Sequence, residues 1–176
     1  MVRFGRIVFL SLLTSATAIV TAQAQDAATA RGSFIANSGD EIGTVSFSGG
    51  PNGLVARVEL PAGALEPGLH GFHMHQVADC SDRAKFETAK AHVKQDGQSH
   101  GYLSGEGPEA GDLPNLMAAP DGSAKAEFAT GLASLSGERN ILDEDGFAVV
   151  IHAKGDDYKD KDSAGARVAC AEIKKQ

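Results

Sequence analysis

Five of the six histidines in this chain occupy positions that suit a metal site. They are His73, His75, His92, His100 and His152. His73 and His75 form a His-x-His pair, and on a β-strand side chains two residues apart share a face, about 7 Å from each other. Two imidazoles on one face can converge on a single ion, and neutral imidazole suits copper and zinc. The spacing predicts a copper or zinc centre, although His-x-His alone is also typical of a strand with a polar solvent face.

Short alternating segments separated by turn residues must hold these side chains. Seven segments are predicted as strands: Thr29–Ala36, Glu41–Ser48, Gly53–Leu60, Leu69–Gln76, Ala124–Thr130, Phe147–Ala153 and Arg167–Ile173. Regular spacing of this kind is typical of an antiparallel sandwich or barrel. The glycine-rich segment 49–53 predicts a hairpin turn. No long segment has an amphipathic period of 3.6 residues, so a helical fold is not expected.

Between Gln76 and about Asp121 the strand periodicity fails, and the sequence predicts one long loop. Loops of this size are uncommon in compact domains and are usually either functional or disordered. This one contains a cysteine, two of the histidines and the segment 108–113, which favours a function. A metal and a disulfide can order a loop that has no core of its own. A second, shorter polar loop is predicted at 155–166.

Cys80 and Cys170 are the only cysteines in the sequence. An even pair in an exported chain usually forms a disulfide. Two buried thiols and a thiol redox pair are the alternatives, but the wide separation excludes a Cys-x-x-Cys motif. By loop-closure entropy, a disulfide closing a loop of this size stabilises the fold by roughly 4 to 5 kcal/mol.

Residues 1–24 have the pattern of an export signal. Arg3 and Arg6 form a basic start, residues 7–20 an apolar centre, and Ala22-Gln23-Ala24 a cleavage site. A membrane anchor is the alternative, but the apolar run is shorter than the roughly 20 residues that a spanning helix needs. The mature chain, 25–176, fits a single domain. Cleavage takes the formal net charge from −7 to −9, so nucleic acid and anionic membrane surfaces are not expected as partners.

Several separated motifs together resemble the copper-zinc superoxide dismutases, and they occur in that family's order. The motifs are Gly68–His75, Cys80, His92 with His100, Gly111–Leu113, Val150–His152 and Ala164–Cys170. The short spacing from His75 to Cys80, together with the export signal, looks most like the bacterial periplasmic branch. The resemblance covers essentially the whole mature chain. It implies an all-β fold: an eight-stranded antiparallel Greek-key barrel, or immunoglobulin-like sandwich, with a long metal-binding loop and a shorter electrostatic loop outside the barrel.

Carried over residue by residue, the resemblance implies a copper site and a zinc site that share one histidine. The copper set is His73, His75, His92 and His152, and the zinc set is His92, His100, Glu109 and Asp112. Position 109 departs from the family's pattern, which has histidine there, but a carboxylate oxygen binds zinc at about the same distance. A weakened or lost zinc site is the alternative. His70 is left over and is expected to be structural, since the copper set is complete without it.

The resemblance also gives roles to Asp156, Arg167 and His92. Asp156 corresponds to a carboxylate that hydrogen-bonds one copper ligand and one zinc ligand, here His73 and His100. Arg167 resembles the residue that guides superoxide to copper, and a permanent positive charge suits an anion that approaches an acidic protein. His92, bound through both ring nitrogens, would bridge the metals and take up a proton when copper is reduced.

The predicted function is dismutation of superoxide to dioxygen and hydrogen peroxide in the periplasm. Copper would alternate between Cu(II) and Cu(I), oxidising one superoxide and reducing a second, while zinc has no redox chemistry and supports the site. Two alternatives stay open: a copper-only superoxide dismutase with a degenerate zinc site, and a non-catalytic copper-binding protein on the same fold. The full copper set and Arg167 favour the enzyme. The sequence does not distinguish a monomer from a homodimer.

Overall fold

Eight antiparallel strands form one sheet in the computed structural model, which describes Met1 and residues 28–175. The strands are β1 Thr29–Ala36, β2 Glu41–Gly50, β3 Gly53–Leu60, β4 Gly68–His75, β5 Asp112–Ala118, β6 Ala124–Thr130, β7 Phe147–His152 and β8 Arg167–Ile173. Their order in the sheet is β5-β4-β7-β8-β1-β2-β3-β6. The edge strands β5 and β6 contact each other, so the sheet curls into a nearly closed barrel. The predicted all-β barrel is confirmed.

The connections that cross the barrel follow a Greek-key pattern. Strands β1, β2 and β3 are neighbours joined by hairpins, whereas the links from β3 to β4 and from β6 to β7 pass to the other side of the sheet. The predicted hairpin turn joins β2 to β3 through Pro51 and Asn52. Within the described residues, no helix is long and apolar enough to cross a membrane. The predicted export signal lies, apart from Met1, outside those residues.

Strand β4 separates the hydrophobic core from the outer face that carries the histidines. Phe72 and Met74 point into the barrel and are fully buried in the main core. His73 and His75, with the opposite parity, lie on the outer face and are equally buried. Their burial on the outside of a barrel requires a cover, and the loop after β4 supplies it. The predicted pair of imidazoles therefore lies outside the core, between the barrel and a loop.

The long loop is shorter than the sequence pattern predicts, because β5 lies within the segment 76–121. This prediction was wrong for a local reason: Pro114 and Asn115 are poor strand formers and hide the alternation. Proline is tolerated here because β5 is an edge strand, which leaves one side without a partner strand. A register shift in its pairing with β4, between His70 and Phe72, blurs the pattern further.

A disulfide between Cys80 and Cys170 fastens the loop after β4 to strand β8. The two Cα atoms are 5.8 Å apart, within the usual range of about 4.4 to 6.8 Å. The disulfide belongs to a second buried cluster, separate from the main core, which also contains Phe86, Ala89, Ala148 and Val150. The predicted pairing is confirmed, and it clamps residues 80–89 onto the outer face of β7 and β8.

Removal of this disulfide is expected to lower thermal stability and metal retention together. The crosslink spans 90 residues. Its loss should therefore lower the free energy of unfolding by up to roughly 4 to 5 kcal/mol, less any strain that is relieved. Thermal unfolding of the oxidised protein, the reduced protein and a Cys80→Ser/Cys170→Ser variant measures the first effect. Metal content after exposure to a chelator measures the second. Full labelling of both thiols in freshly isolated, unreduced protein would contradict the crosslink.

Candidate metal centre

Four histidines from three parts of the chain converge on the outer face of the barrel. His73 and His75 come from β4, His152 ends β7, and His92 comes from the long loop. Their candidate donor nitrogens all lie within 4.8 Å of one another. The ring of His73 lies 4.3 Å from that of His92 and 4.8 Å from that of His152, between ring centroids. The structure thus brings together all four residues of the predicted copper set.

Three of these rings present a buried nitrogen that has no hydrogen-bond partner among the described residues. The atoms are His73 Nδ1, His75 Nε2 and His152 Nε2. An unpaired buried polar atom is costly, and native structures contain few. All three belong to the group of ligand atoms that lie within 4.8 Å of one another, so a single cation that accepts their lone pairs would remove the cost of all three. Imidazole nitrogen is a ligand that copper prefers, so these residues fit a copper ion.

The second nitrogen of each of these rings is held by a hydrogen bond that fixes the ring's orientation. The partners are Asp156 Oδ2 at 2.9 Å for His73 Nε2, the main-chain oxygen of Lys90 at 2.9 Å for His75 Nδ1, and the main-chain oxygen of Gly165 at 3.0 Å for His152 Nδ1. Each partner is an acceptor, so the proton sits on the nitrogen that faces it. The opposite nitrogen is left with a free lone pair toward the cluster.

Burial lowers the pKa of three of the four copper-set imidazoles, those of His73, His75 and His152, and so favours the neutral form that metal ligation requires. Burial lowers the pKa of His152 to about 3, with a further contribution from the charge of His73. The pKa of His75 also falls well below its usual value, again through burial first and then the charge of His92. At neutral pH these imidazoles therefore do not have to lose a proton before they bind a cation.

His92 is brought to the cluster by a loop segment that runs beside β4. The Val93 N–H donates to the Met74 oxygen at 2.9 Å, and the Gly111 N–H donates to the Val93 oxygen at 2.7 Å. A Cβ atom on Gly111 would lie only 2.3 Å from the Met74 oxygen. Glycine at position 111 thus allows the close backbone approach that places His92 over β4.

The zinc set also converges, and its candidate ligand atoms lie within 4.8 Å of one another. His92 Nδ1 lies 2.9 Å from Glu109 Oε2 and 3.1 Å from Asp112 Oδ1. His100 Nδ1 lies 2.8 Å from Asp112 Oδ1 and 4.0 Å from Glu109 Oε2. Ligands of a tetrahedral zinc ion with bonds near 2.0 Å are about 3.3 Å apart. The four side chains fit zinc, with Glu109 at the position where the family's pattern has histidine.

Protons hold this second cluster together when no metal is bound. Burial lowers the pKa of His100, but hydrogen bonding to Asp112 and the charge of that carboxylate outweigh burial and raise the pKa to about 9. The pKa of His92 is raised in the same way, against burial, by Asp112 and Glu109. Zinc must displace these protons, so zinc binding is expected to weaken as the pH falls.

Asp156 connects the two clusters through a single carboxylate. Its Oδ2 atom lies 2.9 Å from His73 Nε2, and its two oxygens lie 3.1 and 3.2 Å from His100 Nε2. Burial raises the pKa of Asp156, but the hydrogen bond from His73 leads the contributions that hold it below its usual value. Asp156 is thus an ionised acceptor that orients one ring of each predicted metal set.

Arg167 lines a cleft of about 1110 Å³ together with His92 and His152. The guanidinium donates to the main-chain oxygen of Phe86 and, at 2.8 Å, to that of Lys90. These two bonds hold the charge in place and use only part of the five N–H donors. Three lysines and three carboxylates also line the cleft: Lys94, Lys159, Lys161, Glu109, Asp160 and Asp162. With Arg167 the four permanent cations outnumber the carboxylates, which suits a small anion that enters toward the histidines.

Comparison with known proteins decides the family. The sequence model described as Copper/zinc superoxide dismutase (SODC) matches residues 41–173. The chain belongs to the copper-zinc superoxide dismutase family. It is 41% identical over 145 residues to a Superoxide dismutase [Cu-Zn] of Caulobacter vibrioides, covering 79% of this chain and 82% of that protein. A Superoxide dismutase [Cu-Zn] of Aquifex aeolicus is 32% identical over 168 residues, covering 93% of this chain and 96% of its own.

Solved structures agree with this assignment. The Cu/Zn superoxide dismutase of Brucella abortus superposes with a TM-score of 0.66 and 29% identity, covering 84% of this chain and 100% of its own. A SOD-like protein from Bacillus subtilis superposes with a TM-score of 0.75 and 31% identity, covering 81% of this chain and 96% of its own. As a member of the copper-zinc superoxide dismutases, the chain is an enzyme with superoxide as substrate and copper and zinc as metals. The predicted activity and cofactors are confirmed.

Two residues of this superoxide dismutase site were missed in the sequence. Asn115 on β5 holds the main chain of Asp156: its Oδ1 accepts from the Asp156 N–H at 2.8 Å, and its Nδ2 donates to the Asp156 oxygen at 2.9 Å. Its place three residues after Asp112 is a signal that could have found it, had β5 been recognised. Asn115 therefore fixes the carboxylate that connects the two metal sets.

Lys90 is the other missed residue, and its role lies in its main chain. Its carbonyl oxygen accepts from both His75 Nδ1 and Arg167 Nη2, at 2.9 and 2.8 Å. The backbone adopts φ 67° and ψ −152°, a region that is essentially restricted to glycine and costs about 1 to 3 kcal/mol for other residues. The unusual backbone of Lys90 thus places one carbonyl oxygen where it orients both the ring of His75, a predicted copper ligand, and the guanidinium of Arg167, the predicted guiding residue. A lysine in the sequence gives no sign of this conformation.

His70 has the structural role that the sequence predicts. It is buried, with Nδ1 2.7 Å from the main-chain oxygen of His152 and Nε2 2.8 Å from that of Glu66. Both ring nitrogens are thus occupied by the protein itself. His70 supports the main chain at His152 and has no nitrogen to offer a metal.

Proposed function

We propose that dismutation takes place at a copper ion held by four histidines, beside a zinc ion that shares one of them. The copper ligands are His73, His75, His92 and His152, and the zinc ligands are His92, His100, Glu109 and Asp112. One observation carries the copper assignment: three imidazole nitrogens, on His73, His75 and His152, are buried without a partner among the described residues, in a group whose candidate ligand atoms lie within 4.8 Å of one another. The convergence of two imidazoles and two carboxylates in the other set supports the zinc assignment, because zinc binds four such ligands.

Copper, when bound, supplies one-electron chemistry by alternating between Cu(II) and Cu(I). The chain's own part in the second half-reaction is the delivery of a proton. Nδ1 of His92 faces Glu109 and Asp112, which leaves Nε2 for the copper set. His92 can therefore hold a proton at Nε2, next to the place where superoxide gains an electron, and release it to the developing peroxide.

Arg167 guides and docks the substrate. A mature chain of net charge −9 repels superoxide at long range, so attraction has to come from a local positive field. Arg167 is anchored by two main-chain oxygens and lies beside His92 and His152 in the cleft. Its remaining N–H groups form a fork that suits a small anion. Asp156, held by Asn115, orients the His73 ring toward the copper set and the His100 ring toward the zinc set.

We also propose that the enzyme is exported to the periplasm. Residues 1–24 act as an export signal, and residues 25–176 form the superoxide dismutase domain, which works in the periplasm free of the membrane. The basic, apolar and small-residue parts of the signal support export. The Cys80–Cys170 disulfide supports it independently, because disulfides persist in oxidising compartments such as the periplasm.

Metal analysis and a superoxide-consumption assay on one purified sample test the proposed function. We expect one copper and one zinc per chain, with dismutation that is lost on removal of copper and restored by copper. Copper without zinc in every preparation would replace the proposal with the copper-only enzyme. Bound copper without superoxide consumption would replace it with a copper-binding protein.

Glu109 is expected to make the zinc site looser than a histidine would. Glutamate is longer and less restrained than a packed imidazole, so its oxygen is less preorganised for zinc. The Glu109→His variant should therefore lose zinc to a chelator or to acid more slowly than the wild type. Dismutation at full metal loading should change little, because copper carries the electrons. Equal zinc retention in both proteins would show that preorganisation at this position does not matter.

A further inference from the structure

We infer that Lys94 competes with zinc for the Glu109 carboxylate and thereby sets how firmly this chain holds zinc. The inference rests on the proposed zinc site and adds a residue that is not a ligand. It concerns the one ligand position at which the chain departs from the family's pattern. Neither the histidine motifs nor the comparisons point to Lys94.

The two oxygens of Glu109 face different partners. Oε2 lies within the zinc set, 2.9 Å from His92 Nδ1. Oε1 lies on the other side, 4.0 Å from the ammonium nitrogen of Lys94. The side chain of Glu109 is 11% exposed and that of Lys94 is 50% exposed, so the carboxylate stands at the boundary between the metal set and solvent. One carboxylate is thus shared between a buried cation site and a cation at the surface.

The charges explain why a lysine belongs here. With Glu109 and Asp112, the set carries two carboxylates where the family's pattern has one. The lysine ammonium supplies one positive charge beside the extra carboxylate, and the Glu109–Lys94 pair is neutral, like the imidazole that it replaces. The pair therefore keeps the net charge of the pattern with three histidines and one aspartate, although the ligand type has changed.

Lys94 acts on zinc through two opposed effects, and their sizes fix the expected sign. As a counter-charge, Lys94 stabilises the ionised carboxylate that zinc needs, but a half-exposed ion pair at 4.0 Å does so only weakly. As a competing cation, the ammonium attracts the Glu109 carboxylate away from zinc, and zinc must overcome this attraction to take the ligand. The competition outweighs the weak stabilisation, and it acts only where position 109 carries a carboxylate. Loss of the lysine charge should therefore tighten the hold on zinc.

Glu109 can change partners without unfolding the loop. Glu109, His100 and Lys94 line the same cleft as Arg167, so water and a chelator reach the zinc set from the side on which Lys94 stands. A carboxylate that turns from zinc toward Lys94 keeps a charged partner while zinc leaves. This gives zinc a route out that a histidine at position 109 would not provide.

Zinc loss from the fully metallated protein tests the inference. Protein loaded with copper and zinc is mixed with excess chelator, and released zinc is followed over time. Lys94→Met, which keeps the apolar stem, should lose zinc about threefold to tenfold more slowly than the wild type. Lys159→Met is the matched control, because Lys159 lines the same cleft but has no ion pair with Glu109 among the described residues. Its rate should change by less than about twofold.

A double-variant cycle separates competition for Glu109 from a general effect of charge. In a Glu109→His background, Lys94→Met should change the rate of zinc loss by less than about twofold. Faster or unchanged zinc loss in Lys94→Met alone overturns the inference. So does an equal slowing in both backgrounds, which would mean that Lys94 acts by its field and not through the carboxylate. Glu109→Ala tests the proposed ligand set separately: if it holds zinc as well as the wild type, the zinc assignment fails, whatever Lys94 does.

Discussion

Replacing His152 by alanine is expected to abolish dismutation while leaving the barrel folded. The substitution removes one of the three unpartnered nitrogens that point at the proposed copper position. His152 is buried at the end of β7 but is not part of the main hydrophobic core, so its loss creates no cavity there. We expect superoxide consumption at equal protein concentration to fall by at least about 100-fold. Copper content and thermal unfolding are measured on the same sample.

His73→Ala should abolish activity too, but with a larger loss of stability. His73 donates to Asp156, and its removal leaves a buried carboxylate short of one partner. The ring of His152 hydrogen-bonds only a loop carbonyl, that of Gly165, among the described residues. The difference between the two variants in thermal midpoint therefore reports on Asp156. Full activity in either variant with copper still bound would refute the copper assignment.

Replacing Arg167 by alanine is expected to lower the rate at low salt by about tenfold or more and to flatten its dependence on ionic strength. The substitution removes the positive charge that is fixed in the cleft beside His92 and His152. Rates of superoxide consumption from low to high salt measure the effect. Arg167→Lys should recover part of the salt dependence but not the full rate, because lysine keeps the charge and loses the fork of donors.

An arginine remote from the site provides the control. Arg57 on β3 pairs with Glu127 at 2.7 Å on an exposed face. Arg57→Ala changes the net charge by the same amount as Arg167→Ala but leaves the cleft intact. It should leave the rate within about twofold of the wild type at every salt concentration. An unchanged low-salt rate in Arg167→Ala would mean that Arg167 only ties the loop to β8.

The strands and ligand types were predictable because they depend on local patterns. Alternation, or a short apolar run such as that of β7, marks a strand between turn residues, and seven of the eight strands were predicted in this way. Strand β5 was missed because Pro114 breaks the pattern at an edge, where the sheet does not need its N–H group. Histidine spacing on β4 likewise fixes which side chains share a face, without knowledge of any other strand.

The parts of the site that depend on contacts between distant segments were not predictable in the same way. The nitrogen that each histidine turns toward the metal is set by partners such as Asp156, which is 83 residues away from His73 along the chain. The bond from Asn115 to Asp156 joins residues 41 positions apart. Lys90 ends a short 3-10 turn, Glu87–Ala89, which is anchored by Phe86 and Ala89 in the buried cluster that also holds the disulfide. Such features follow from tertiary packing and leave no mark in composition or spacing.

The order of strands in the sheet divides the barrel into two halves with different tolerance to change. Every proposed ligand lies on β4, β5 or β7 or on the loop between β4 and β5, whereas β2, β3 and β6 carry none. Substitutions in those three strands that still fill the core are therefore expected to leave the ligands in place. The hairpin at Pro51 and Asn52, at the tip of that half, is therefore a natural place to insert a tag or reporter without disturbing the metals.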